Sequence, residues 1–229
     1  MKDLKGKVLV GLASVSMLGG IALGSVQGFA DNSLDTGVRV QFATDGYIPE
    51  PDPDPNDLQM RFVPDMFNFG NTLQATGSAV TSPAQAVNKY VTLYDGRPST
   101  ANNWKMDAKA SILTNVADST RTINTGNVTV NIGKVMEWTD QNVPSATNVG
   151  TTPMANVTNQ VVTGANTSAD LVLPINGSTS VEIARSTSVI QNKGYAVPIN
   201  TAKLTVTGVT ADAGQTYTGT ITWTASTLP

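Results

Sequence analysis

The sequence has no cysteine and no histidine, and only 14% of its 229 residues are charged. Without Cys there is neither a disulfide framework nor a thiol nucleophile, so a hydrophobic core must hold the fold. About two hundred residues are enough for that. Without His, the usual acid–base shuttle and the commonest transition-metal ligand are both missing. There is no phosphate-cradling glycine loop and no nucleophile elbow. Carboxylates remain, and a glycosidase needs only two of them. The candidates Asp65, Asp95, Asp107 and Glu137 sit among turn residues or on outward strand positions, without the desolvation that a general acid needs. The expectation is a protein that is not an enzyme, with no cofactor and no metal.

Long apolar runs are also missing, with one exception at the N-terminus. Lys2, Lys5 and Lys7 precede an uncharged apolar stretch, Val8–Leu23, and the small-residue segment Ser25–Ala30 ends Gly28-Phe29-Ala30. This order is that of a secretory signal peptide over residues 1–30. The run is short for a membrane span and is interrupted by Gly11, Gly19 and Gly20. The C-terminal Ser226–Pro229 carries no apolar tail, basic stop-transfer cluster or sortase-type signal. We therefore expect a secreted chain without a membrane span in its mature form and without a covalent anchor. Residues 31–229 would form one domain.

Positive charge is scarce as well. Removing residues 1–30 takes three Lys and one Asp from 14 basic and 17 acidic residues, leaving 11 against 16 and a net charge of −5. Nucleic-acid partners require clustered Lys and Arg, so none is expected. Simple electrostatic adhesion to an anionic polymer or membrane is disfavoured for the same reason.

What the chain does have is Thr, Val, Asn and Gly, the residues of strands and turns. Short alternating runs recur: Val38–Phe42, Leu58–Phe62, Lys89–Tyr94, Trp104–Ile112, Val128–Ile132, Val181–Ile183, Leu204–Val206 and Tyr217–Ala225. The only helical candidate is short, Ser82–Ala86. Many short strands separated by turn residues predict an all-β fold, a β-sandwich of Ig-like or related Greek-key type with long Asn/Thr/Gly-rich loops. Between Gly46 and Asp57, Pro alternates with acidic and polar residues, so this stretch reads as an extended surface loop outside any sheet interior. From Val143 to Gly177 the pattern is weak, and long loops with short strands are expected there.

Two of the alternating runs each carry a tryptophan. Trp104 shares its strand parity with Met106, Ala108, Ala110 and Ile112. Trp223 shares its parity with Ile221 and Ala225, while Thr218, Thr220, Thr222 and Thr224 take the opposite one. A row made only of apolar side chains is most simply a core face.

With these strands placed, the chain resembles the WxL-domain family of Gram-positive cell-surface proteins. The resemblance rests on ordered segments spanning the mature chain: an early strand, the acidic Pro-rich stretch, Leu58–Gly70 with its Val63-Pro-Asp65 and Phe69-Gly70, Tyr90–Arg97, and the two tryptophan motifs. Both motifs depart from the name, with Met106 and Ala225 standing where Leu is expected. Met for Leu nearly conserves volume, whereas Ala leaves space that must collapse or be filled from elsewhere. The resemblance implies non-covalent binding to peptidoglycan through the domain itself. Other WxL proteins and a membrane-anchored WxL-interacting protein are the partners it suggests. A structural subunit retained by such a partner, with little direct glycan affinity, is the alternative.

The candidate binding residues are therefore the motif positions Trp104, Met106, Trp223 and Ala225, together with an outward patch. Val91 and Leu93 would face the core, leaving Tyr90, Thr92 and Tyr94 outward, and Lys105, Asp107 and Lys109 point outward from the Trp104 strand. If these two strands pair across Asp95–Asn103, one exposed surface combines aromatic rings with both signs of charge. Such mixtures suit sugars and muropeptide carboxylates.

Overall fold

The computed structural model describes residues 32–39, 57–70, 79–98, 103–138, 154–156, 169–186, 193–207 and 215–228. The expected signal peptide lies outside them, as does the acidic Pro-rich stretch apart from Asp57. The described residues form fifteen strands. In chain order they are β1 (Asn32–Arg39), β2 (Leu58–Phe62), β3 (Met66–Asn68), β4 (Val80–Thr81) and β5 (Gln85–Asp95). Next come β6 (Trp104–Ala110), β7 (Leu113–Asn115), β8 (Thr122–Ile123), β9 (Gly126–Ile132) and β10 (Met136–Trp138). The last are β11 (Met154–Asn156), β12 (Ala169–Pro174), β13 (Val181–Arg185), β14 (Lys193–Val206) and β15 (Tyr217–Thr227). No helix occurs among the described residues; Ser82 sits before β5 with its hydroxyl accepting the Leu204 N–H at 2.9 Å.

The strands build two packed sheets, a β-sandwich. One is seven-stranded, in the order β13-β6-β15-β1-β3, with β7 and β8 continuing from β15. The other is eight-stranded, in the order β11-β10-β14-β5-β2, with β9, β12 and β4 at the far half of β14. All pairings are antiparallel except the short contact of β1 with β3. Long β14 changes neighbours midway. Its first half pairs with β10, its second half with β9, and the switch coincides with a bulge at Asn200. Opposite it, β5 absorbs the kink at Val87 and Asn88, where Asn88 takes φ 49°. Asn tolerates the left-handed region better than most side chains. At the start of β9, Gly126 has φ 132°, and a Cβ there would lie 2.1 Å from the Thr205 carbonyl oxygen, so the close approach of β14 requires glycine.

The main core lies between the sheets and uses the inward residues of the alternating runs. Trp104, Met106, Ala108, Ala110, Ile221, Trp223 and Ala225 come from the seven-stranded sheet; Val91, Leu93, Tyr195, Val197, Ile199, Val128 and Val130 come from the other. Apolar burial of this extent replaces the absent disulfides as the source of stability.

Three local expectations are corrected by bulges and breaks. Ile112 does not continue the Trp104 row and is 37% exposed. β6 ends at Ala110, where the Ser111 N–H donates to the Thr220 carbonyl and its hydroxyl to that of Ile112, and the chain re-enters the core at Leu113. In β2 a register shift between Met60 and Phe62 turns Phe62 away from Leu58 and Met60. Phe62 instead joins Trp138 and Ala196, with Tyr90 packed against them, in a second small cluster. That cluster covers one half of the outer side of the eight-stranded sheet, where Thr92 and Tyr94 are buried and not solvated.

Candidate functional site

Both motif tryptophans are core residues. Trp104 is 1% exposed and Trp223 is 0% exposed. The backbone of Trp104 is clamped by one residue: its N–H donates to Ser186 Oγ at 2.9 Å, and its carbonyl accepts the Ser186 N–H at 2.9 Å. Its ring packs against Tyr195 of the facing sheet at 5.1 Å between centroids and 45° between planes. This tilted arrangement suits the aromatic quadrupoles. The Trp104 indole N–H finds no acceptor among the described residues, and the same holds for Trp138.

The two motifs are neighbours. β6 and β15 pair antiparallel, so that Met106 lies opposite Ala225, Ala108 opposite Trp223, and Trp104 opposite Thr227. Opposed residues on one face of such a pair stand roughly 4.5–5.5 Å apart at Cβ. The two departures from the family name thus sit side by side. Met106 is 0% exposed and Ala225 is 1% exposed, so the long Met side chain and the small Ala share one space. Each substitution makes room for, or fills, the other.

A buried ion pair closes the same end of the sandwich. Arg97 Nε donates to Asp95 Oδ1 at 2.8 Å and its Nη2 to Asp95 Oδ2 at 3.0 Å, while Nη1 donates to Thr227 Oγ1 at 2.7 Å. The Leu228 N–H reaches the Asn103 carbonyl at 2.6 Å, and the Gly96 N–H reaches that of Asp57 at 2.9 Å. The Asp95–Arg97 segment therefore ties β5 in one sheet to the end of β15 in the other. Asp95 is 2% exposed, which corrects the expectation that it is an ordinary turn carboxylate; its charge is balanced by a bidentate guanidinium. The other three candidate carboxylates are also engaged or solvated. Asp107 pairs with Lys105 at 2.7 Å, Glu137 pairs with Lys193, and Asp65 is half-buried.

The outward patch is not assembled as expected. β5 and β6 do not pair across Asp95–Asn103; β5 lies between β14 and β2, and β6 between β15 and β13 in the opposite sheet. Tyr90 and Tyr94 are consequently separated by the whole sandwich from the outer face that carries Lys105 and Lys109. Thr92 is 0% exposed and Tyr94 is 9% exposed, with Tyr90 half-buried against Phe62, Trp138 and Ala196. Lys105, Asp107 and Lys109 do occupy half-exposed positions alternating with buried Trp104, Met106, Ala108 and Ala110. Beside them on β13, Glu182 accepts hydrogen bonds from Arg185, and these hold the guanidinium above its ordinary pKa.

A family profile described as "WxL domain surface cell wall-binding" matches residues 30–229. The chain belongs to the WxL domain family. Every strand described above falls inside that match. WxL domains are surface, cell-wall-binding modules, which places this protein in the secreted, wall-associated class. The family is one of wall-binding domains and not of enzymes. No curated protein matches the chain. In this WxL domain the residues of the name form a packing unit between two sheets. Sequence reasoning anticipated that unit from the alternation, but not the Asp95–Arg97–Thr227 clasp or the second cluster around Trp138.

Proposed function

We propose that this protein attaches to the Gram-positive wall by binding peptidoglycan directly and non-covalently through the sandwich itself, without catalysis. The observation that carries this reading is the extent of the match. The wall-binding family covers residues 30–229, so the property belongs to the one sandwich those residues build. The site residues named from the sequence then divide into two roles. Trp104, Met106, Trp223 and Ala225 hold the binding surface in shape from inside. Lys109 faces outward and is available to a ligand, Lys105 faces outward in an ion pair with Asp107, and Tyr90 and Tyr94 contribute to a packed face.

The second reading is retention by a partner, either another WxL protein or a membrane-anchored WxL-interacting protein. The net charge of −5 after residue 30 favours it, because long-range attraction to an anionic wall is absent. Purified protein mixed with protein-free sacculi separates the two. Direct binding survives in that mixture, while partner-dependent retention gives no pull-down.

A further inference from the structure

The two outer faces of the sandwich differ in how they use their polar groups. On the eight-stranded sheet one half is packed under Phe62 and Trp138, and several polar side chains of the other half are tied to one another. Thr81 and Thr205 share a hydrogen bond at 2.9 Å, Asn200 donates to Asn131 at 3.0 Å, and Asn131 donates to Asp170 at 2.8 Å. On the seven-stranded sheet, β15 turns a row of hydroxyls outward: Thr218, Thr220, Thr222, Thr224 and Ser226. All five are at least partly exposed, and none of these side chains has a hydrogen-bond partner among the described residues. The row runs for roughly 27 Å at about 3.4 Å per residue. β15 carries no charged residue at all.

Beside this row stands the charged row of β6, with Lys109 opposite Thr222, Asp107 opposite Thr224 and Lys105 opposite Ser226. Lys105 is engaged with Asp107, and Arg185 with Glu182 on the next strand. Lys109 has no ion-pair partner among the described residues. On β6 and β13 this face carries three basic groups against two acidic ones, while the chain after residue 30 is acidic by five charges.

We propose that this face of the seven-stranded sheet is the wall-binding surface. Its ligand is a glycan strand rich in hydroxyl and amide groups, laid along the unpaired hydroxyls of β15, with a pendant carboxylate against Lys109. Uncommitted donors and acceptors on a rigid sheet bind without first breaking protein hydrogen bonds, and a cation beside them selects an acidic ligand over a neutral one. This inference rests on the direct-binding reading above and adds the face and the ligand class.

The test uses the full mature chain and four proteins: wild type, Lys109→Glu, Thr222→Glu, and Lys203→Glu as a charge-matched control on the opposite sheet. Each is checked for unchanged melting, then titrated onto protein-free sacculi, onto sacculi stripped of wall-linked phosphate polymers, and onto chitin as a neutral N-acetylated glycan. The expected result is a tenfold or greater loss of sacculus affinity for Lys109→Glu and Thr222→Glu. Lys203→Glu should stay within twofold of wild type, binding should survive removal of the phosphate polymers, and chitin should bind more weakly than sacculi. Full-strength binding by folded Lys109→Glu and Thr222→Glu proteins would overturn this face and leave direct wall binding standing. Loss of wild-type binding on stripped sacculi would overturn the carboxylate ligand. Failure of wild type on every sacculus would overturn the reading beneath it.

Discussion

The pairing of Met106 with Ala225 makes a quantitative prediction about the motif. Ala225→Leu restores the residue of the family name but adds three carbons at a site 1% exposed, beside a Met that is 0% exposed. Overpacking of that kind costs roughly 1–3 kcal/mol. Met106→Leu alone is close to volume-conserving and should cost less than about 1.5 kcal/mol. Leu has a shorter reach than Met, so the double variant regains the space that Met106 held over residue 225. The two changes should therefore couple favourably by about 1 kcal/mol or more, since directly opposed residues share one packing site. For a domain of this size that corresponds to a melting temperature roughly 2–4 °C above the additive expectation. Thermal unfolding of wild type, both single variants and the double variant, followed by circular dichroism, measures the coupling. Additivity within about 0.5 kcal/mol would refute the shared space, as would a stabilising Ala225→Leu single variant.

The remaining predictions concern the core and the clasp. Trp223→Ala empties a fully buried site and should cost about 3–5 kcal/mol, lowering the melting temperature by roughly 6–20 °C; wild-type melting with lost sacculus binding would contradict a purely internal role. Trp104→Phe removes a buried indole N–H that has no acceptor among the described residues, so the loss of volume is offset by roughly 1–3 kcal/mol of relieved desolvation. It should therefore be clearly milder than Trp223→Ala in the same melting assay. Asp95→Asn leaves the Arg97 guanidinium buried without its counter-charge and should cost about 3–5 kcal/mol by denaturant unfolding; a loss under about 1 kcal/mol would show that the clasp is dispensable.

Much of the fold was legible because a strand with one buried face writes its period into the sequence. Alternation alone places Ile221–Ala225 and the Trp104–Ile112 row as far as Ala110, with Ile112 turned out by the break after β6. Period two reports which residues share a face, but it is silent on which sheet the strand joins. That choice depends on pairing between distant segments, as when Trp223 comes to lie opposite Ala108. Hence alternation allows Tyr90 and Tyr94 to share a surface with Lys105 and Lys109 if their strands pair, whereas β5 and β6 lie in different sheets. Bulges are equally hidden, because one added residue inverts the parity of everything after it. Phe62 reads as the third member of the Leu58–Met60 row until the irregularity around Arg61 sends it to the other side. The outer face of the eight-stranded sheet then becomes partly apolar, with buried Thr92 in its middle. Asp95 reads as a turn carboxylate because its burial depends on Arg97, across a glycine, and through it on Thr227, 130 positions away from Arg97.

The position of the tryptophans inside the sandwich changes what a motif mutation can mean. Trp104 and Trp223 lie beneath the strands whose other faces carry Lys109 and the hydroxyl row, one residue of alternation away from solvent. Removing either ring should loosen β6 and β15 together, and with them the spacing of the outward groups. With the proposed binding face, a motif variant should lose wall binding in proportion to its loss of folded sandwich, while an outward variant should lose binding at constant stability. On that proposal the same two strands supply both properties, from opposite faces. That gives a physical reason for the motif to mark a wall-binding family although its defining side chains are shielded from the wall.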